Sequence, residues 1–320
     1  MSELVDHLPW LLPSAYLGAW VAALLLPGHA WSVANAAALA GLAAMVGAAL
    51  ATLAPGTESA EPVSLVVGLM VAFLGWVIVR YSRRYLEGEA EQVRYVAALS
   101  FTVAATATVV VTEHLAVLLG AWAASSLGLH QLLTFYRERP GALIAAHKKF
   151  LVSRASELCV IAALILIGLE VGTLDLQGIA AHVAAVEDLP VALNVAAVLL
   201  ALTAILKSAQ LPLHGWLIQV MEAPTPVSAL LHAGIVNIGG YVLIRVAELI
   251  TASPAAGTLL VIAGSSTAVL AGLVMMTRIS IKVRLAWSTC AQMGFLLMEV
   301  GLGLYDLALL HLVAHSLYKA

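Results

Sequence analysis

The chain has 320 residues, of which 62% are hydrophobic and only 10% are charged, and its formal net charge is −3 at pH 7. Ordinary soluble domains carry about 25% charged residues, so this composition excludes a soluble enzyme and a nucleic-acid-binding domain. The mean hydropathy of +1.01 predicts an all-α polytopic membrane protein.

Eleven segments are apolar over about the 20 residues that a helix needs to cross a bilayer core of roughly 30 Å. In chain order, these predicted transmembrane helices are residues 9–27, 30–54, 62–81, 93–111, 114–136, 150–171, 190–221, 226–250, 254–277, 283–302 and 305–320. They form a single membrane domain over residues 1–320, because no intervening stretch is long enough to bury a core. Cys159 and Cys290 lie in separate apolar segments without other ligands at metal spacing, so we predict packing roles and no metal site.

The basic residues indicate how these helices are oriented. Twelve of the fifteen Lys and Arg fall within residues 80–94, 137–154 and 278–284, which flank three loops on one side of the membrane. By the positive-inside rule that side is cytoplasmic, and the N-terminus is periplasmic. Arg245 lies outside these clusters, and a snorkelling surface pair with Glu248 accounts for it.

Lys207 is a charged residue in the middle of an apolar segment. A charge at bilayer depth costs about 3 to 10 kcal/mol, so it indicates a functional task. Pro212 prevents a continuous helix, and residues 190–221 exceed the length of one span, so we predict two half-helices. Burial favours release of the ammonium proton, which suits cation or proton handling. Polar side chains that could hold water beside the lysine are Ser208, Gln210 and His214.

Three histidines and a second lysine are further candidates for a proton pathway. His232 follows on the next predicted helix, where it is either a proton relay or a packing residue. His311, His315 and Lys319 recur every four residues and form one polar stripe on a helix, although Lys319 could instead snorkel to the cytoplasm. No cap, glycine or proline follows the stripe, so we expect the chain to stop inside a helix.

Four motifs, in this order, resemble one family of membrane proteins. Residues 207–214, 222–232, 282–295 and 311–319 are similar to the proton-conducting, antiporter-like membrane subunits of respiratory complex I and of Mrp antiporters. The resemblance implies two inverted five-helix repeats, each with a broken helix.

The resemblance also implies a division of the membrane domain. N-terminal helices would occupy residues 1–92, and the first inverted repeat would occupy residues 93–250, including the discontinuous helix near 190–221. The second repeat would begin at residue 254 and be truncated after its third helix, so that residues 254–320 are only its start.

Roles for individual residues follow from the resemblance, position by position. Lys207 matches the family's buried lysine on the broken helix, and His232 matches its relay histidine. Arg154 matches an arginine, and Glu157 an aspartate, that modulate the channel. The residues that match the hydrophilic axis entering the second repeat are Lys282, His311, His315 and Lys319.

One departure from the family pattern is large. The family's glutamate that pairs with the buried lysine follows a tryptophan, whereas here Trp122 is followed by Ala123. A buried ammonium without a counter-ion is unfavourable, so Glu157 or Glu113 is expected to substitute. Glu222, in the turn after the broken helix, is a further modulating or counter-ion candidate.

In this departure, and over residues 126–136, 148–154 and 231–245, the chain resembles the membrane subunit of DAB-type inorganic carbon transporters. In that family a cytoplasmic zinc subunit resembling β-carbonic anhydrase hydrates CO₂ to bicarbonate, and the membrane subunit is thought to drive it with a cation gradient. The resemblance implies a non-enzymatic transport subunit of the bacterial inner membrane, without a cofactor or metal of its own.

The transported cation and the wider role have alternatives. We expect H⁺ rather than Na⁺, because carboxylates, which suit Na⁺, are scarce in the spans. A subunit of a complex I-like or Mrp-like cation/proton antiporter is the second interpretation. A membrane anchor without transport is the third.

Overall fold

The computed structural model describes residues 7–53, 61–220 and 223–319. Within these ranges the chain forms fifteen α-helices connected by turns and short 3₁₀ segments. The helices are α1 (Leu11–Leu25), α2 (Ala30–Ala51), α3 (Pro62–Tyr85), α4 (Gln92–Val111), α5 (Leu115–Leu133), α6 (Pro140–Val171), α7 (Leu176–Ala185), α8 (Val191–Lys207), α9 (Gly215–Gln219), α10 (Thr225–Ala233), α11 (Ile238–Arg245), α12 (Ala247–Thr251), α13 (Pro254–Met276), α14 (Ile281–Gly301) and α15 (Tyr305–Lys319). The predicted all-α polytopic class is confirmed.

All eleven predicted spans contain helix. Eight helices in the described ranges are long and apolar enough to cross a membrane, counting α10 and α11 as one. The other three predicted spans correspond to α8, α14 and α15. Of these, α8 has 17 residues and α15 has 15, which is short for an uninterrupted crossing.

One predicted boundary is wrong, and one predicted loop contains a helix. The sixth span was expected to begin at residue 150, but α6 begins at Pro140 and runs for 32 residues. Proline suits the first helical position because its missing N–H is not needed there. The predicted loop after this span contains α7, whose first turn is capped by the Asp175 carboxylate, which accepts from the Gly178 N–H at 3.1 Å. Because α6 begins at Pro140, Lys148 and Lys149, which precede the predicted span, lie on this helix.

Small residues let α13 and α14 pack closely. A Cβ atom added at Gly264 would lie 2.6 Å from the Gly294 carbonyl oxygen. Only glycine at both positions allows the two backbones to approach this far, as at many helix contacts in membranes. This pair forms the wall against which the broken segment between α8 and α9 rests.

The helices around α8 bring the candidate residues together. Helix α8 packs against α6, α11 and α13, while α5 packs against α6. Between α10 and α11 the chain is irregular at Gly234 and forms a 3₁₀ turn at Ile235–Asn237. The predicted single span over residues 226–250 is therefore interrupted beside the break in α8. Helix α15 packs against both α10 and α11.

Candidate functional site

The helix that carries Lys207 is broken as the sequence predicts. Helix α8 ends at this residue, and helical structure resumes only with α9. Side chains replace the lost helical hydrogen bonds: Gln210 Nε2 donates to the Ser208 carbonyl at 2.9 Å, and Leu211 N–H donates to Thr267 Oγ1 at 3.2 Å. Irregular backbone at membrane depth is tolerated only when such partners or a wet cavity satisfy it.

The Lys207 ammonium faces an aromatic ring instead of an anion. Its Nζ lies 4.4 Å from the centre of the Trp122 ring, and it has no hydrogen-bond partner in the part of the chain that the structure describes. Although parts of the side chain are exposed, the Nζ atom itself is buried. A desolvated cation–π contact contributes about 2 kcal/mol, and the carbonyl end of α8 adds a favourable dipole. None of the ammonium's protons is held by an oxygen acceptor of the described residues.

A cavity of about 20 Å³ lies beside this ammonium. That volume is enough for about one water molecule, provided that polar partners line the cavity. Its polar or aromatic lining residues are Trp122, Ser125, Ser126, Lys149, Ser153, Lys207 and Trp216. The cavity also reaches the 3₁₀ turn between α10 and α11, through Ile235 and Val236.

Lys149 is a second buried lysine at this cavity. Its Nζ donates to the carbonyl oxygen of Ser126 at 2.9 Å and to the Ser126 hydroxyl at 2.5 Å. The sequence analysis placed Lys149 with the basic loop and did not select it as a site residue. The structure corrects this, because α6 already begins at Pro140 and carries Lys149 on its buried side.

A sequence signal for Lys149 does exist. The buried residues of α6 recur every three or four positions, which is the spacing of one helix face. They include Ala142, Ala146, Lys149, Ser153, Ser156, Val160, Ala163 and Ile167. Extending the apolar stripe of the span backwards to Ala142 would have placed Lys149 on it.

Arg154 and Glu157 lie near both lysines. They form an ion pair one turn apart on α6, with 2.5 Å between Nη2 and Oε1. Both are close enough to act electrostatically on Lys207 and on Lys149. Glu157 pairs with Arg154, and the described residues show no ion pair between Glu157 and Lys207, so its role as counter-ion of Lys207 stays a prediction. Glu222 lies outside the described residues.

His232 is buried on α10, one turn before Val236. Neither ring nitrogen has a hydrogen-bond partner among the described residues, and the same holds for His315 on α15. Buried polar groups ordinarily have hydrogen-bond partners, so both rings have free capacity for a water or a proton, and the relay role of His232 stays a prediction. His315 and Lys319 both lie close enough to influence His232 electrostatically.

The polar stripe on α15 meets polar residues of α14 that sequence reasoning missed. His311 Nδ1 lies 3.0 Å from both carboxylate oxygens of Glu299, and its Nε2 lies 2.7 Å from Gln292 Oε1. Lys319 Nζ donates to Ser288 Oγ at 3.0 Å. Lys319 is therefore engaged with α14.

Lys282 stands apart from these contacts. It is exposed in the first turn of α14, and the structure gives it no hydrogen bond or ion pair with the other candidates in the described residues. Its place on the hydrophilic axis stays a prediction from the family resemblance. A different contact, between Asn237 Nδ2 and Ser316 Oγ at 2.7 Å, fixes α15 to the 3₁₀ turn beside the cavity.

The chain matches, over residues 112–320, the protein family described as NADH:quinone oxidoreductase/Mrp antiporter, TM. It belongs to this family. The resemblance inferred from the four motifs is thereby confirmed. The matched region contains every candidate pathway residue named above.

Individual members of the family are similar in sequence and in structure. The probable inorganic carbon transporter subunit DabB of Hydrogenovibrio crunogenus is 54% identical over 258 residues, which are 80% of this chain and 50% of that protein. The corresponding subunit DabB2 of Halothiobacillus neapolitanus is 50% identical over 257 residues, covering 80% and 47%. The chain thus spans about half the length of these curated relatives.

A solved structure has the same fold. A chain of the Mrp complex from Dietzia sp. DQ12-45-1b superposes with a TM-score of 0.83 at 31% identity, over 97% of this chain and 36% of that one. The antiporter-like fold is therefore common to this family member and to a subunit of a heteromeric complex.

Two expectations about charged pairs in this family member need correction. Glu113 does not face Lys207, because its Oε2 lies 2.9 Å from Arg245 Nη2. Arg245 is not a snorkelling partner of Glu248 either. Its side chain is only 1% exposed, and its Nε lies 3.1 Å from Glu61 Oε2. Its two acidic partners lie beside the ends of α3 and α4, remote in sequence, so the sequence alone did not reveal that this arginine is buried.

Proposed function

We propose that this chain is the proton-translocating subunit of an inorganic carbon transporter in the bacterial inner membrane. One observation carries the proposal: Lys207, at the end of a broken membrane helix, has a buried Nζ without an oxygen acceptor among the described residues. Such an ammonium can give up and regain its proton at modest cost. The names of the relatives from Hydrogenovibrio and Halothiobacillus supply the inorganic carbon part of the proposal.

The pathway would run from Lys207 along the interrupted helix to α15. The cavity beside Lys207 touches Val236, one turn from His232. His232 in turn lies within electrostatic reach of His315 and Lys319. Imidazoles and amines at such positions can pass a proton through intervening water. The pair of His311 and Glu299 would extend the route along α14 and α15.

Protons suit this pathway better than Na⁺. Sodium needs several oxygen ligands, and carboxylates are the strongest that proteins offer. The two carboxylates beside the pathway already have basic partners, since Glu157 pairs with Arg154 and Glu299 with His311. The titratable groups that remain along the route in the described residues are lysine and histidine nitrogens, which bind protons.

The proton gradient would drive a soluble partner. By family resemblance, that partner is a cytoplasmic, zinc-dependent subunit similar to carbonic anhydrase, which converts CO₂ to bicarbonate. The chain offers it the ends of three helix pairs, α3 and α4, α5 and α6, and α13 and α14, near which ten of the fifteen Lys and Arg lie when Lys149 and Arg154 of the cavity region are left out. In this orientation the N-terminus is periplasmic.

Growth of a carbonic-anhydrase-deficient bacterium in ambient CO₂ tests the proposal. The complete native gene would be expressed together with the neighbouring gene for the zinc protein, as the wild type, as Lys207→Ala, and as Lys148→Ala. Lys148 is an exposed lysine whose Nζ bonds Gln219, so it is the matched control for loss of one positive charge. The amount of protein in the membrane would be measured for each strain.

The outcomes separate the three interpretations. Rescue by the wild type and by Lys148→Ala, but not by a stably present Lys207→Ala, is the result we expect. Rescue by all three strains would make the chain a membrane anchor. Failure of the wild type with its partner would favour the second candidate, a cation/proton antiporter subunit, which the superposition on the Mrp complex supports. Ala123, where that class carries a glutamate, counts against it.

A further inference from the structure

The cavity beside Lys207 holds an excess of positive charge. Arg154 and Glu157 neutralise one another through their ion pair, which leaves Lys149 and Lys207 without a carboxylate of their own. The two lysines line one cavity and act on each other electrostatically. Two uncompensated ammonium groups in a desolvated site repel each other strongly, so the site favours a single proton charge shared between them.

Lys149 is held so that this exchange can occur. The Ser126 carbonyl and hydroxyl accept two of its three possible hydrogen bonds, and Lys149 also lines the cavity. Lys207, across the cavity, has no such acceptor. A cavity that accommodates about one water molecule therefore separates Lys149, which is held by two hydrogen bonds, from Lys207, which has none in the described residues.

Lys149 also connects the cavity to the basic end of the bundle. It lies nine residues after Pro140, where α6 begins. At a rise of 1.5 Å per residue, this distance along the helix is about 14 Å. Two basic residues, Arg137 and Arg139, immediately precede α6.

Two histidines continue from Lys149 towards that end. The His130 ring on α5 lies 5.8 Å from the His147 ring on α6, centre to centre, and His147 is exposed. His130 is close enough to Lys149 to interact with it electrostatically, and its Nδ1 is buried without a hydrogen-bond partner in the described residues. The proposed function above uses none of these three residues.

We propose that Lys149 exchanges protons with Lys207 through water in the cavity and links it, past His130 and His147, to the basic end of the bundle. In each step one N–H bond breaks at one nitrogen and one N–H bond forms at the next, through water, so one lysine is an amine whenever the other is an ammonium. The lysine pair takes the place of the glutamate–lysine pair that Ala123 removes. This inference rests on the proposed function, because it assumes that Lys207 carries protons.

Two substitutions of Lys149 separate proton exchange from a merely structural bond. Lys149→Gln retains a donor for Ser126 but has no titratable group, and Lys149→Arg retains the charge but does not release its proton. Lys148→Gln is the matched control, since the neighbouring Lys148 is exposed and a glutamine can still bond Gln219. The complete native protein and its soluble partner would be reconstituted in liposomes, and proton flux measured with an internal pH dye.

We expect both Lys149 variants to lower proton flux at least tenfold, while Lys148→Gln stays within twofold of the wild type. Wild-type flux in either Lys149 variant would overturn the inference. If Lys207→Ala abolishes flux in the same assay, such a result would leave the proposed function standing. Flux in Lys207→Ala equal to wild type would instead refute the proposed function itself.

A second variant covers the case in which Lys149 proves necessary for folding. His147 is exposed, so His147→Gln is expected to fold. The inference predicts that it lowers proton flux severalfold, because the last titratable group of the route is lost. Unchanged flux would overturn the route past His147.

Discussion

Arg245→Gln would remove the most heavily bonded cation of the described residues. The Arg245 guanidinium lies 3.1 Å from Glu61 and 2.9 Å from Glu113, and it donates to the Tyr241 hydroxyl at 2.9 Å. It also donates to the Thr112 carbonyl at 3.2 Å and reaches two further oxygens on α3 and α4. These contacts tie α11 to the ends of α3 and α4.

The expected loss of stability follows from the exposure of the partners. The Glu61 and Glu113 side chains are 40% and 44% exposed, so each ion pair is screened and contributes about 1 kcal/mol. Of the four other oxygens that Arg245 bonds, the Val110 carbonyl still accepts from the Tyr241 hydroxyl at 2.8 Å. Glutamine replaces at most two donors to the remaining three, so one oxygen is left without a donor, which costs about 1 kcal/mol more. The free energy of unfolding should therefore fall by about 3 kcal/mol, near the lower bound for breaking a buried pair.

Thermal unfolding of the full protein in detergent, followed by size-exclusion chromatography, measures this effect. For a protein of this size or larger, about 3 kcal/mol corresponds to a Tm lowered by roughly 6 to 12 °C. Arg84→Gln is the control, since Arg84 is exposed in the last turn of α3 and should shift Tm little. Equal Tm values for Arg245→Gln and Arg84→Gln would refute the conclusion that the buried contacts of Arg245 stabilise the protein.

Two other changes probe α14 and its neighbours. Glu299→Gln removes the charge that His311 contacts at 3.0 Å. The loss of this charged hydrogen bond should lower proton flux in liposomes about tenfold. Unchanged flux would show that Glu299 is not part of the route. Gly264→Val would force a Cβ within 2.6 Å of the Gly294 carbonyl, so the yield of folded protein in detergent should fall severalfold. Gly272→Val, which has no atom within 4 Å of the added Cβ, should behave as wild type, and equal yields of the two would contradict the close packing.

Features that depend on local sequence could be predicted. Lys207 and Pro212 indicate a charge and a break on the same membrane helix, and both are where the sequence placed them. The spacing of His311, His315 and Lys319 gives one helix face whatever the partner is. In each case the signal lies within a few residues of the chain.

Features that depend on partners remote in sequence could not be predicted. Arg245 finds Glu113, 132 positions earlier, and neither residue signals the other in the sequence. Glu299 lies near the end of an apolar helix, so in the sequence it resembles a charge at a helix boundary. Only the fold shows that it contacts His311 of α15. Lys149 was hidden for a different reason, because it stands among basic residues that the positive-inside rule assigns to a loop.

The route of protons through Lys207 is tested most directly with the complete protein and its partner in liposomes under an imposed proton gradient. The account predicts uptake of inorganic carbon that a protonophore abolishes, that a Na⁺ gradient alone does not drive, and that is lost in Lys207→Ala but kept in Lys148→Ala. Uptake that persists with the protonophore, or that survives in Lys207→Ala, would contradict it.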